Sequence, residues 1–192
     1  MPWEKQFDRT DALERAQRVL WRRGYEHCSL NTLLKGMGIQ KGSFYATFGS
    51  KHSVLVEALQ LYIQQRFDSF QKTTDGRPPV EALRRHLDQV VEESTGSDRS
   101  LGCFLVNCAT ELAPKDPVIR EIVAATFQAH TAFYRSMLDK ARQQGAPTQI
   151  DTDSAATALL GLVLGMRVLA RGGAPTPMIR ALRQQADALL GL

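Results

Sequence analysis

The side chains best suited to chemistry in this chain of 192 residues are a few cysteines, histidines and carboxylates. Cys103, His130 and Glu111 provide one nucleophile, one base and one carboxylate, which are the residue types of a thiol-based catalytic group. Their spacing does not require such a group, so we expect no enzyme activity. The four histidines are scattered, and no Cys-x-x-Cys or His-x-x-x-His occurs, so we expect neither a metal nor a cofactor.

Cys103 has a second possible role, as a sensor of oxidants or electrophiles. The sequence predicts that it lies at the start of a helix, where backbone amides and the positive end of the helix dipole favour the reactive thiolate. Cys108 falls within an apolar stripe and Cys28 lies beside a helix cap, so both are weaker candidates. Three cysteines without framework spacing argue against structural disulfides.

Two stretches combine an apolar wall with a few polar groups, the composition of a small-molecule site. In the first, Cys103, Asn107 and Glu111 fall at i, i+4 and i+8 and share one helix face. In the second, His130 and Tyr134 are the polar tips of an aromatic face. The alternative is that Asn107 and Glu111 are solvated and the aromatic residues are ordinary core. The candidate ligand-binding residues are Phe67, Cys103, Asn107, Glu111, Phe127, His130, Phe133 and Tyr134.

The stretch 29–51 predicts two short helices joined by a tight turn. Apolar residues recur at helical spacing up to Met37 and are stopped by Gly38. A second helix follows at 41–47, with Phe44 and Phe48 on its buried side. The residues on its other faces are small or polar, which suits a helix lying against a DNA groove better than one used only for packing. The pattern therefore predicts a helix-turn-helix, the alternative being an ordinary helical corner.

The sequence GIQKGSFY at 38–45, followed by Phe48, Lys51 and Leu55, resembles the DNA-binding signature of the TetR family of transcriptional regulators. Upstream, the resemblance extends to Ala16, Leu20, Gly24, Tyr25 and Ser29. It covers about the first quarter of the chain. The chain departs from the family pattern at Cys28, Gln40 and the pair Gly36-Met37. These departures leave the fold expectation intact but make the operator sequence unpredictable.

The resemblance implies a homodimeric repressor that binds a roughly palindromic operator in double-stranded DNA and is released by a small-molecule inducer. The residues expected to approach base edges are Gln40, Ser43 and Ala46 or Thr47. Those expected to hold phosphates are Ser29, Lys41, Tyr45 and Lys51, and Gly42 completes the DNA-binding set. Base contacts would set the sequence preference and phosphate contacts the register.

The rest of the chain predicts further helices and no strands. Asp8 or Thr10 caps a first helix that ends near Arg23, and Ser50 caps a long helix that ends near Lys72 before the loop at 73–79. Later helices are predicted at about 80–93, 100–113, 116–144, 151–170 and 175–190. The predicted fold is all-α: an N-terminal three-helix bundle with a helix-turn-helix, then a C-terminal helical ligand-binding and dimerisation domain. We place these domains at 1–51 and 52–192, joined through the long helix that starts near Lys51.

The last two helices are predicted to form the dimer interface. The run 155–166 is apolar on nearly all faces and carries the small residues Ala158, Gly161 and Gly165. One side can face the chain's own core and the other the same helix of a second subunit. Residues of the last helix expected to complete the interface are Met178, Ile179, Leu182, Ala186 and Leu189. The alternative is a core helix in a monomer; in the family that the chain resembles, the last long helices form the dimer.

Composition and charge agree with a DNA-binding protein of the cytoplasm. The chain is 43% hydrophobic and 23% charged, its longest apolar run is too short for a membrane span, and no apolar segment opens it. The stretch 1–51 holds nine Lys/Arg against five Asp/Glu, and the remaining residues are balanced. All the net positive charge therefore lies where phosphates would bind. Other classes remain open: an architectural DNA binder, an enzyme or a protein-interaction module.

Overall fold

A computed structural model describes residues 7–145 and 151–189. Within these ranges it contains nine α-helices, one turn of 3₁₀-helix and no strand, so the predicted all-α fold is confirmed. The helices are α1 (Arg9–Arg23), α2 (Leu30–Met37), α3 (Lys41–Phe48), α4 (Lys51–Thr74), α5 (Pro79–Thr95), α6 (Phe104–Glu111), α7 (Pro117–Gln143), α8 (Thr152–Arg171) and α9 (Thr176–Leu189). The predicted end of the last helix at 190 lies outside the described residues.

Most helices begin at the capping residues that the sequence predicts. Asp8, Ser29 and Ser50 each accept a backbone N–H from the first turn of α1, α2 and α4, at 3.0, 3.1 and 3.0 Å. Asp116 accepts two such N–H groups, at 3.0 and 3.1 Å, at the start of α7. Between α2 and α3, Gly38 has φ of +73°, a left-handed conformation that glycine adopts without strain. The caps and this glycine fix the helix-turn-helix.

One predicted boundary is wrong, because the helix expected at 100–113 is broken near its start. A 3₁₀ turn at Arg99–Leu101 ends at Gly102, and α6 begins only at Phe104. Gly102 has φ of +64°, and a Cβ there would come within 3.0 Å of the Arg171 Cβ atom. Cys103 is the N-cap residue of α6, so its predicted place at a helix start is confirmed.

Two buried clusters make up the core of the described residues. The first combines α1, α2, α3 and the first half of α4 with α6 and the beginning of α7. The second combines α5, the later part of α7, α8 and α9. The division into 1–51 and 52–192 stays a prediction, but α6 shares its core with the helix-turn-helix although it lies far away in sequence.

Candidate functional site

The exposed face of α3 is the surface that the sequence predicts for DNA. Phe44 and Phe48 are buried at 0% and 4% exposure and hold the helix to the core. The exposed residues are Gln40, Lys41, Gly42, Tyr45 and Ala46, and the half-buried ones are Ser43 and Thr47. The predicted inward and outward faces of the helix are therefore confirmed. Contacts of individual residues with bases or phosphates stay predictions.

Gly42 has no packing role in the described chain. A Cβ atom built on it would meet no atom within 4 Å. Glycine inside a helix costs about 0.5–1 kcal/mol relative to alanine, so internal packing does not account for it. Its absent side chain leaves α3 open to a close approach by another molecule, as a helix lying in a DNA groove requires.

Two of the predicted phosphate ligands already have partners inside the protein. The Nζ atom of Lys51 donates to the carbonyl oxygen of Tyr25 at 2.6 Å and lies 4.1 Å from the centre of the Tyr25 ring. Ser29 remains exposed, but its hydroxyl oxygen is the cap of α2. Lys51 therefore has a structural role, since it holds the start of α4 to the turn between α1 and α2.

Glu111 binds the backbone of the turn between α1 and α2. Its carboxylate accepts the backbone N–H groups of Glu26 at 2.9 Å and of Tyr25 at 3.4 Å. The side chain of Glu26 in turn pairs with Lys115, just beyond α6. Glu111 thus ties the end of α6 to the turn that precedes the helix-turn-helix. Together with Cys103 and Asn107 it also lines a second cavity of about 330 Å³, so its role in ligand binding stays a prediction.

Asn107 lines the same second cavity, and it too binds a backbone group. Its Nδ2 atom donates to the carbonyl oxygen of Leu101 at 3.0 Å. The same oxygen accepts Nε1–H of Trp21 at 3.0 Å and Nη1–H of Arg171 at 3.1 Å. Residues from α1, α6 and α8 thus meet at one backbone group, and Asn107 has a structural role there.

A cavity of about 60 Å³ lies among α4, α5, α6, α7 and α8. Of the predicted ligand-binding residues, four line it: Cys103, Phe127, His130 and Tyr134. Phe67 and Phe133 do not line it but support residues that do. The Phe67 ring centre lies 4.8 Å from that of His130, and the Phe133 ring centre lies 4.3 Å from that of Phe70.

The charged groups of this cavity were missed from the sequence. Arg66 and Arg167 line it, and both donate to the carboxylate of Glu93, with Nη2 of Arg167 at 2.7 Å. The Arg167 side chain is only 10% exposed. Burial opposes ionisation of Glu93, but the charges of Arg167 and Arg66 outweigh it and lower its pKa. Arg167 directly follows the apolar run of α8. A charged residue beside an apolar run was the feature of the sequence that could have indicated a charge in the cavity.

The two histidines of the cavity are neutral near pH 7. Burial lowers the pKa of His86 to about 3, and burial also lowers the pKa of His130. Nδ1–H of His130 donates to the carbonyl oxygen of Thr126 at 2.8 Å, so its Nε2 atom is an acceptor. Nε2 of His86 lies 2.8 Å from the hydroxyl of Tyr134.

Cys103 is the cysteine that lines the cavity. The hydroxyl of Tyr62 donates to its Sγ atom at 3.4 Å. Burial raises the pKa of Cys108 to about 12 and also raises that of Cys28, which keeps both as thiols. Glu111 does not orient His130, because the carboxylate of Glu111 accepts from the backbone of Glu26 and Nδ1–H of His130 donates to the carbonyl oxygen of Thr126.

The outer face of α8 is open in the single chain. A Cβ atom on Gly161 or Gly165 would meet no atom within 4 Å, and Val168 and Met178 are 51% and 48% exposed. The interface set is corrected at Ile179 and Ala186, which are both fully buried in the chain's own core. The side chain of Leu189 lies outside the described residues.

By length and composition alone, α8 is the one helix in the described ranges that is apolar enough to cross a membrane. Its inner side packs against α5, α7 and α9, with Leu159 and Met166 fully buried. Core helices of folded domains share this composition, and the packing accounts for the apolar residues on that side.

Family models match two parts of the chain. Residues 12–58 match the bacterial regulatory proteins of the tetR family, and residues 79–185, more than half of the chain, match the tetracyclin repressor-like C-terminal domain. The chain belongs to the TetR family. The resemblance seen in the sequence is thereby confirmed, and the protein is a transcriptional regulator with a DNA-binding helix-turn-helix.

Relatives and solved structures of the TetR family agree over most of the chain. The uncharacterised HTH-type transcriptional regulator YezE of Bacillus subtilis (strain 168) is 32% identical over 156 residues, 80% of each chain. The HTH-type transcriptional repressor ComR of Escherichia coli (strain K12) is 28% identical, over 88% of this chain and 82% of its own. A cysteine mutant of the regulator CifR, complexed with 26-base-pair operator DNA, is 30% identical over 97% of both chains, with a TM-score of 0.84.

Proposed function

We propose that this regulator is a cytoplasmic homodimeric repressor that leaves its operator when a small molecule occupies the cavity. The proposal is supported above all by the course of α4, because this helix begins beside α3 and also lines the cavity. Its cavity residues are Tyr62, Ile63, Arg66, Ser69 and Phe70. The name of ComR as a repressor and the operator complex of CifR support it by similarity.

In the proposed complex, α3 lies in the major groove. Gln40, Ser43 and Ala46 or Thr47 approach base edges, and Lys41 and Tyr45 hold phosphates beside them. The support is the exposure of this face, with Tyr45 47% exposed, and the open space around Gly42. Lys51 reaches a phosphate from the edge of the site while keeping its bond to Tyr25, because its ammonium group has further donor hydrogens. Ser29 reaches one with its single O–H when the Thr32 hydroxyl is the donor in the hydrogen bond between them.

Replacing Lys41 with alanine should weaken binding to all DNA sequences alike. In the proposed dimer the substitution removes one phosphate contact from each subunit, so about two counterions fewer are released and the slope of log K against log salt should flatten by about 1.8. Fluorescence anisotropy with labelled operator at several salt concentrations measures this slope. Gln40→Ala should instead change the preference at particular base pairs.

The control for this experiment is Lys72→Ala, which removes an equal charge from the exposed far end of α4. Its salt slope should equal that of the unchanged protein. If Lys41→Ala also keeps the original slope, Lys41 does not touch a phosphate.

The proposed switch works through α4. This helix has 24 residues, so it extends about 36 Å from the helix-turn-helix to the second core cluster. A molecule in the cavity presses on its middle, and a small shift there changes the spacing of the two α3 helices in the dimer. The molecule releases DNA only if it prefers the non-binding arrangement, because equal affinity for both arrangements shifts nothing.

A thiol switch at Cys103 is the second candidate. Its Sγ atom lies on the cavity wall and accepts a hydrogen bond from Tyr62 of α4. It is also the N-cap residue of α6, the helix whose other end binds the turn before α2 through Glu111. Oxidation or alkylation of Cys103 would therefore disturb both α4 and α6.

Cys103→Ser distinguishes the two candidates. A thiol switch predicts that this variant binds the operator normally but stays bound when it is treated with hydrogen peroxide or an electrophile. The matched control is Cys108→Ser, which removes a buried thiol of the same helix and should still be released. Release of Cys103→Ser by these reagents would eliminate the thiol switch and leave the cavity ligand as the signal.

A further inference from the structure

We propose that the cavity takes a small anionic molecule, a short-chain carboxylate, with its carboxylate on Arg167 and its apolar tail among the aromatic and aliphatic walls. This inference rests on the proposed function, since it names the chemical class of the molecule that would fill the cavity.

The charges around the cavity do not balance. Arg66 and Arg167 are two permanent cations, and Glu93 is the one carboxylate that they share. Glu93 lies behind the two arginines, and no Asp or Glu is found on the cavity wall itself in the described part of the chain. His86 and His130 are neutral near pH 7, so they neither add to nor cancel the excess. One positive charge is left in a mostly apolar enclosure, and an anion is the complement that such a site favours.

The hydrogen bonds leave Arg167 with free donors. Glu93 takes one Nη2–H of Arg167, and no other acceptor for the guanidinium is found among the described residues. The second oxygen of Glu93 accepts from Gln89 at 3.0 Å, so both carboxylate oxygens are already engaged. A guanidinium has five N–H donors arranged to meet a carboxylate in a bidentate pair. Arg167 is therefore buried, charged and only partly satisfied.

The walls and the size of the cavity limit the rest of the molecule. Phe70, Phe127, Leu160 and Val163 line the same cavity with apolar surface. The cavity of about 60 Å³ has room for a small molecule of a few non-hydrogen atoms. Butyrate, with a carboxylate and a three-carbon tail, has this size and polarity.

The test compares butyrate with butyramide, which has nearly the same shape but no charge. Calorimetric titration of the unchanged protein at constant ionic strength should show butyrate binding at least tenfold more tightly, because charge-assisted hydrogen bonds are about twice as strong as neutral ones. Equal binding of the two, or no binding of either up to tens of millimolar, would overturn the inference. This comparison needs no variant, so it does not depend on how a substitution folds.

Three variants locate the binding. Arg167→Met should weaken butyrate binding at least tenfold and leave butyramide unchanged. Arg85→Met removes an equal charge from the exposed side of α5 and should leave butyrate binding within twofold. Leu164→Phe adds volume to the cavity wall and should weaken the binding of both butyrate and butyramide. This variant therefore tests binding in the cavity even if Arg167→Met fails to fold. Butyrate binding that survives both Arg167→Met and Leu164→Phe would overturn the inference.

Operator release is measured in parallel to separate this inference from the proposed function. If butyrate binds through Arg167 but the affinity for operator DNA is unchanged, the carboxylate site stands and ligand-triggered release fails. If neutral molecules release the operator and carboxylates do not bind, release stands and the anionic class is overturned.

Discussion

A Gly161→Leu variant is expected to be a folded monomer that has lost most of its operator affinity. In the single chain, a Cβ atom at this position meets no atom within 4 Å, so the backbone has room for a side chain, and leucine also favours the helix. In the proposed dimer the same position faces α8 of the partner, where glycine allows close approach. Leucine there would force the two helices apart.

The operator affinity should fall because a monomer brings only one α3 helix to the DNA, whereas a dimer brings two that are held together. Two half-sites about 34–36 Å or slightly more apart can be bound together only by a dimer, and linked binding is worth about 10²–10⁴ in affinity. Light scattering gives the mass, circular dichroism the helix content, and anisotropy the operator affinity.

The matched control is Ala124→Leu, at an exposed position of α7, which should change neither mass nor affinity. Gly165→Leu should repeat the result of Gly161→Leu. If the protein without substitutions is a monomer at micromolar concentration, the proposed interface and the proposed palindromic operator are both wrong.

Replacing Glu93 with leucine should lower the free energy of unfolding by about 3 kcal/mol. The substitution leaves Arg167, which is 10% exposed, and Arg66, which is 28% exposed, without their counter-charge, and removing one partner of a buried pair costs about 3–5 kcal/mol. The lower end applies because the Glu93 side chain is 28% exposed. Urea denaturation at a fixed protein concentration measures the change.

Glu92→Leu is the control for this stability prediction. Glu92 precedes Glu93 on α5 and is exposed, so its loss should change stability by less than about 0.5 kcal/mol. Adding Arg167→Leu to Glu93→Leu should recover part of the loss, because it removes one unpaired charge. A loss below about 1 kcal/mol for Glu93→Leu would mean that water or the solvent-exposed edge already screens the two arginines.

The helices could be predicted well from the sequence, because the residues that start and end a helix are its immediate neighbours in the chain. Asp8, Ser29, Ser50 and Asp116 cap helices where the sequence says they should. Gly102 was not recognised as a break, because the positive φ that it adopts depends on how closely α8 approaches. A glycine among helix-forming residues carries no sign of that approach.

The site was predicted less well because periodicity defines a face of a helix but not what the face meets. Asn107 and Glu111 share a polar row, but the row does not predict the hydrogen bonds that they make to backbone groups of other elements. Ile179 and Met178 are neighbours in the sequence, yet one is fully buried and the other exposed. The pairing of Glu93 with Arg167 joins residues 74 positions apart, a separation at which no local pattern exists.

The shared core of the helix-turn-helix and α6 limits how regulators of this layout can be recombined. A hybrid that exchanges only residues 1–51 would place the α1–α3 surfaces of another protein against α6 and the start of α7. It would also lose the hydrogen bonds that Glu111 makes to the turn after α1 and that the Leu101 carbonyl oxygen makes to α1. The exchangeable unit is discontinuous: it includes the first half of α4, α6 and the beginning of α7. Designers of chimeric biosensors should move these segments together, and natural domain shuffling is subject to the same rule.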